Sequence, residues 1–184
     1  MNRFLVPFAL GLGVLASHAG PVSAQTPAVA AAPVAKPEDV SSMDAIIKTL
    51  YDVISGPAGQ KRDWDRFRSI FASGARLIPT GRDAAGKGRA LFWSADDYVK
   101  NAGASLETSG FFEQEIGRTV EQYGRIVQVF SAYESRRTAA DEKPFARGIN
   151  SIQLFDDGTR WWIVTVFWEQ ESAANPIPAK FLKP

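Results

Sequence analysis

The sequence predicts an α+β domain, with helices first in the chain and packed on one face of a curved antiparallel sheet that follows them. Three observations carry this. Apolar residues recur at helical spacing up to about residue 102, and from Phe111 onward they alternate with a period of two. The third is turn chemistry, with Gly124 closing the first extended segment and Asp157-Gly158 opening the last.

The chain opens as an export signal does. Arg3 precedes an apolar stretch from Phe4 to about Ala16, and small residues lead to Val22-Ser23-Ala24, so cleavage is expected after Ala24. The stretch is shorter than the roughly 20 residues a membrane span needs and is broken by Pro7, Gly11 and Gly13, and no later segment is long and apolar enough to span. Residues 25–40, rich in Ala and Pro at first, are expected as a flexible tether ahead of a single domain at residues 41–184.

From Ser41 the pattern turns amphipathic. Ile46, Ile47, Leu50, Tyr51 and Ile54 share a helical face between a Ser41 or Ser42 cap and a Gly56-Pro57 stop. Asp63 caps a second helix with Trp64, Phe67, Ile70 and Phe71 on its apolar face and Gly74 at its end. A short extended piece, Ala75 to Ile78, leads to a glycine-rich loop from Thr80 to Gly88 that lacks the spacing of a phosphate loop. Ser94 and Asp97 form a capping box for a short third helix through about Ala102. Four extended segments follow, Phe111 to Gln122, Ile126 to Arg136, Gly148 to Asp156 and Thr159 to Glu169, the last pair joined by a two-residue Asp157-Gly158 hairpin.

Composition narrows the chemistry. There is no cysteine, and the one histidine, His18, lies in the expected leader. Imidazole-dependent nucleophilic systems and His/Cys zinc sites are therefore excluded from the mature chain, leaving acid and base work to Asp, Glu, Tyr or Lys. No calcium-loop spacing occurs, and neither a metal nor a cofactor is expected. With 21 basic against 20 acidic residues and no basic run, the chain carries no electrostatic footprint for nucleic acid or an anionic membrane.

The order of elements and three segments resemble the nuclear-transport-factor-2-like superfamily, in particular its SnoaL-like bacterial members. The segments are DWDRFRSIFASGARLIP at Asp63 to Pro79, YGRIVQVFSAYESR at Tyr123 to Arg136, and RGINSIQLFDDGTRWWIVTVFWEQE at Arg147 to Glu171. The resemblance implies a cone, a strongly curved antiparallel sheet wrapped around three N-terminal helices and open at one end into a pocket. It leaves activity open, since the superfamily holds isomerases, dehydratases and hydrolases beside members that only bind or assemble. Where many members carry a histidine near the end of the closing strand, this chain reads Thr165-Val166-Phe167-Trp168, and no position matches the family's catalytic sets.

Strand alternation gives candidate pocket residues. Val127 and Val129 bring Ser131 and Tyr133 inward; Ile152 and Leu154 bring Asn150; Phe112, Ile116 and Val120 bring Gln114 and Arg118. The closing strand is apolar on both faces, and the family resemblance implies that Trp161, Ile163, Thr165, Phe167 and Glu169 face inward, leaving Trp162, Val164, Val166 and Trp168 as a second apolar face for a homodimer. Glu113, Glu115 and Glu121 are then a solvated stripe.

The residues lead to a periplasmic or secreted module that binds a small, partly apolar molecule through Gln114, Arg118, Ser131, Tyr133, Asn150 and Thr165. The alternative is a cofactor-independent lyase or isomerase with Glu169 as base and Tyr133 as oxyanion donor. A third reading is a protein-interaction domain whose pocket is plugged by aromatic side chains.

Overall fold

Pro37 sits in the first helical turn of α1 (Pro37–Val40), where its missing N–H costs nothing. The turn buries Asp39 and Val40, so the packed fold takes in the end of the segment expected as a tether. This computed structural model describes residues 33–182; the expected leader, its cleavage site and the first half of the tether lie outside the described residues. Arg66 holds Asp39 at 2.8 Å, which keeps that carboxyl below its ordinary range and ties α1 to the next two helices.

Ser42 caps α2 (Met43–Ile54) by accepting from the amide of Ala45, and the helix buries the expected face of Ile46, Ile47, Leu50, Tyr51 and Ile54. Asp63 caps α3 (Trp64–Ser69), which is shorter than its apolar period suggests. The chain turns extended at Phe71, because Ile70 and Phe71 meet the core as the start of β1 (Phe71–Arg82) rather than as a further helical turn. The glycine-rich loop is a hairpin: β1 continues through Arg82 and pairs with β2 (Gly88–Ala90). The Ser94–Asp97 capping box forms as expected, and α4 (Ala95–Ser109) runs past Ala102 to Gly110, whose φ of 69° ends it.

Four long strands follow, β3 (Phe112–Tyr123), β4 (Ile126–Arg136), β5 (Ala146–Asp156) and β6 (Trp161–Gln170). Among the described residues they form with β1 and β2 a six-stranded sheet in the order β2-β1-β6-β5-β4-β3. The sheet is curved, unclosed and antiparallel except for the parallel β1–β6 pair. The two-residue turn lies at Gly124-Arg125, between the paired Tyr123 and Ile126, where Gly124 takes φ 57°. Asp157-Gly158 instead belongs to a four-residue turn, closed by the amide of Asp157 donating to the carbonyl of Arg160.

Two bulges govern which residues face the helices. In β3 the register shifts between Glu115 and Gly117, and in β6 it shifts opposite Gln153 and Leu154, where Val164 is the extra residue. Each bulge inverts the alternation beyond it. The core between helices and sheet holds Ile46, Phe67, Ile70, Val129, Ile152 and Ile163, all fully buried. Arg62 knots the α2 and α4 ends together, donating to the carbonyls of Ile54, Gly56, Gln60 and Leu106.

Candidate functional site

The inner face of the sheet does not close completely on the helices. A cavity of about 230 Å³ remains, floored by Leu50 and Ile54 of α2, walled by Leu77 and Val166, and ringed by the aromatic side chains of Phe67, Tyr98, Phe111, Tyr133, Phe145 and Trp168. Tyr98 stacks on Phe67 at 5.1 Å and meets Trp168 edge-on at 6.3 Å, so α4 and β6 supply one continuous aromatic wall. Neither the Tyr98 nor the Tyr133 hydroxyl has a hydrogen-bond partner among the described residues.

Into this mostly apolar space opens the carboxyl of Glu113. The residue is placed by the first half of β3, opposite Ser135 of β4. Its backbone amide donates to Ser55 Oγ and its Oε2 accepts from Ser135 Oγ at 2.8 Å. Burial among the rings pushes this carboxyl up to about 7, against the hydrogen bonds from Ser135 and Asn150 that favour its ionised form. Burial likewise raises the Tyr98 and Tyr133 hydroxyls well above their ordinary range, with Glu113 adding to the effect. Glu113 forms no ion pair among the described residues.

Behind it a second carboxylate anchors a polar chain. Ser131 Oγ donates to Glu115 Oε1 at 2.5 Å, and Tyr51 OH lies 2.6 Å from Ser131 Oγ. Since the one proton of Ser131 goes to Glu115, the Tyr51 hydroxyl donates to Ser131 and accepts from Asn150 Nδ2 at 3.1 Å. The chain therefore fixes the Asn150 amide with its nitrogen toward Tyr51 and Glu113. Arg118 closes the outer end, pairing with Glu115 and Asp44 at 2.7 Å each. Glu113, Glu115 and Arg118 also line a wider groove of about 580 Å³ with Lys48, Asp52, Arg136 and Asp141.

The structure thus brings together Arg118, Ser131, Tyr133 and Asn150 of the residues expected on the inner face. Gln114 lies on the outer face, bonded to Glu134, because the β3 bulge falls after it, and it reaches the rim of the wider groove rather than the cavity. Thr165, Phe167 and Glu169 also face outward, and Val166 and Trp168, expected outside, face the cavity; the Val164 bulge causes both exchanges. Glu169 is exposed and lines a separate hollow over the outer face. Glu113 and Glu115, expected as a solvated stripe, are inner-face residues, whereas Glu121 is exposed as expected. The signal that points to them is the hydroxyl series Ser131, Tyr133 and Ser135 on one strand face, since buried hydroxyls require acceptors across the ladder.

No protein-family model matches the chain, and no curated protein is significantly similar to it in sequence. Solved structures do resemble it. An NTF2-like protein of unknown function from Pseudomonas putida superposes with a TM-score of 0.54 at 10% identity, covering 75% of this chain and 92% of that one. A protein of unknown function with a cystatin-like fold from Nostoc punctiforme gives 0.53 at 12% identity, over 71% and 90%. The Kfla4162 protein from Kribbella flavida gives 0.50 at 13% identity, over 73% and 93%. With helices packed on an open, curved six-stranded sheet and with these neighbours, the chain has the nuclear-transport-factor-2-like fold.

Proposed function

We propose that the chain is an exported module of the SnoaL-like type whose cone binds one compact, largely apolar molecule by a polar end seated on Glu113. The observation that carries this reading is the Glu113 carboxyl opening, without an ion pair among the described residues, onto an aromatic-walled cavity of about 230 Å³. The carboxyl already accepts from Ser135 Oγ, and the polar end of a ligand adds a further donor while its apolar body is buried among the rings. Ser131 acts from behind, through the Tyr51–Asn150 chain, and Arg118 acts at its outer end.

A thermal-shift screen of small, monocyclic compounds tests it. Compounds that raise the Tm of the chain are expected to lose their effect on Ala146→Phe, which fills the cavity from its mouth. A screen in which no compound stabilises the wild-type chain, or in which hits act equally on Ala146→Phe, argues against the reading.

One observation favours a second reading, proton-transfer catalysis. A carboxyl at about 7 is matched to taking and returning a proton near neutral pH, and the free Tyr98 and Tyr133 hydroxyls are placed to donate to a developing oxyanion. The base is then Glu113, since Glu169 stands exposed on the outer face. Turnover of a small carbonyl compound, rising with an apparent pKa near 7 and abolished in Glu113→Gln, would support it.

A further inference from the structure

We infer that the cavity is built for a small organic ammonium ion carrying about one ring. This rests on the binding reading above and names the class of ligand. Three features of the cavity wall converge on it. Among the described residues the charged side chain in the wall is Glu113 and no Lys or Arg lines the cavity, so an anionic ligand would meet a carboxyl with nothing to offset it. Six aromatic rings surround the space, and their negative faces attract a cation, Trp most strongly. The carboxyl is already held from one side by Ser135 and Asn150, which leaves it fixed in place as an acceptor for a ligand N–H. The size follows from the volume, somewhat larger than the roughly 150 Å³ that accommodates benzene.

Charged and titratable groups approach Glu113 from every side and leave this balance intact. Tyr51, Tyr98 and Tyr133 face it from α2, α4 and β4, and burial keeps all three neutral near pH 7. Glu115, its neighbour on β3, is neutralised by Arg118. Lys48 and Asp52 of α2, Arg136 of β4 and Asp141 beyond it lie in the outer groove, where Arg136 is paired with Glu134. At the mouth Arg137 is exposed and stacks over the Phe145 ring at 4.0 Å, and Arg147 is paired with Glu171. Among the described residues, no strand or helix packed on the carboxyl presents an unpaired cation from within the cavity.

Isothermal titration of the chain with 2-phenylethylamine and with its uncharged isostere 2-phenylethanol, at pH 6 and pH 8, tests the inference. The amine stays protonated across this range while the ionised fraction of Glu113 climbs from about a tenth to about nine tenths, so amine affinity is expected to rise about tenfold. Affinity for the alcohol is expected to stay level or fall. Glu113→Gln is expected to abolish the rise and to weaken the amine at least about tenfold at pH 8 while still binding the alcohol. An alcohol that binds as tightly as the amine at pH 8, an amine affinity that does not change with pH, or a rise that survives in Glu113→Gln overturns the inference and leaves the binding reading standing. Failure of both compounds to bind the wild-type chain overturns the two together.

Discussion

Glu113 shows how far one residue's chemistry depends on where the backbone turns it. The same side chain in water titrates near 4.5, and here burial moves it to about 7. Between those values the folded chain keeps a proton that the unfolded chain has released, so the residue's contribution to stability is most favourable below about 4.5 and is lost as pH rises toward 7, staying constant above. Glu113→Gln lacks this dependence. Relative to wild type the variant is expected to gain stability from pH 5 to pH 8, by at most about 3 kcal/mol, in urea unfolding at the two values. A difference between variant and wild type that does not vary with pH would mean that the carboxyl titrates as it does in water.

At the scale of the element, the two bulges decide the inner face. A strand read with an unbroken period of two puts Thr165, Phe167 and Glu169 beside Ile163, and the single extra residue Val164 turns Val166 and Trp168 inward instead. Nothing in WWIVTVFWEQ announces the position of the bulge, because the strand is apolar on both faces. In β3 the shift after Glu115 returns Arg118 and Val120 to the inner face, so Arg118 was legible from alternation while Gln114 was not. Deleting Val164 is expected to exchange the two faces of the end of β6 and abolish cooperative thermal unfolding followed by circular dichroism. Deleting Glu142, exposed in the β4–β5 loop, is expected to shift the Tm by only a few degrees. Similar melts for the two deletions would show that the bulge is dispensable.

Across the whole molecule the outer face of the sheet is only partly covered. The chain after β6 crosses it, Phe181 stacking on Phe130 at 5.3 Å, and Gly117 permits the crossing because a Cβ there would meet the Phe181 carbonyl oxygen at 2.6 Å. Val164 and Phe167, 40% and 45% exposed, stay uncovered beside it. We propose that a second copy covers them, with Trp162 alongside, whereas Val166 and Trp168 have gone to the cavity and take no part. Phe167→Glu is expected to turn a wild-type dimer into a monomer in sedimentation velocity with its circular dichroism spectrum unchanged. A wild-type chain that sediments as a monomer removes this homodimer.

The order of elements, the α2 and α4 caps and the core of the helices were set by local chemistry. A serine with a free hydroxyl ahead of an amphipathic stretch, or a glycine at a turn, acts through neighbours a few residues away, and those neighbours are in the sequence. Ser131, Tyr133 and Asn150 were legible for a related reason, since β4 and the first part of β5 run without interruption from the Val127–Val129 and Ile152–Leu154 pairs that fix their face. Trp168 and the parallel β1–β6 pairing were decided by tertiary structure alone. Which side a residue faces beyond a bulge, and which strand lies beside another, depend on contacts between residues about 90 positions apart, such as Phe71 with Ile163, and no local pattern carries that information.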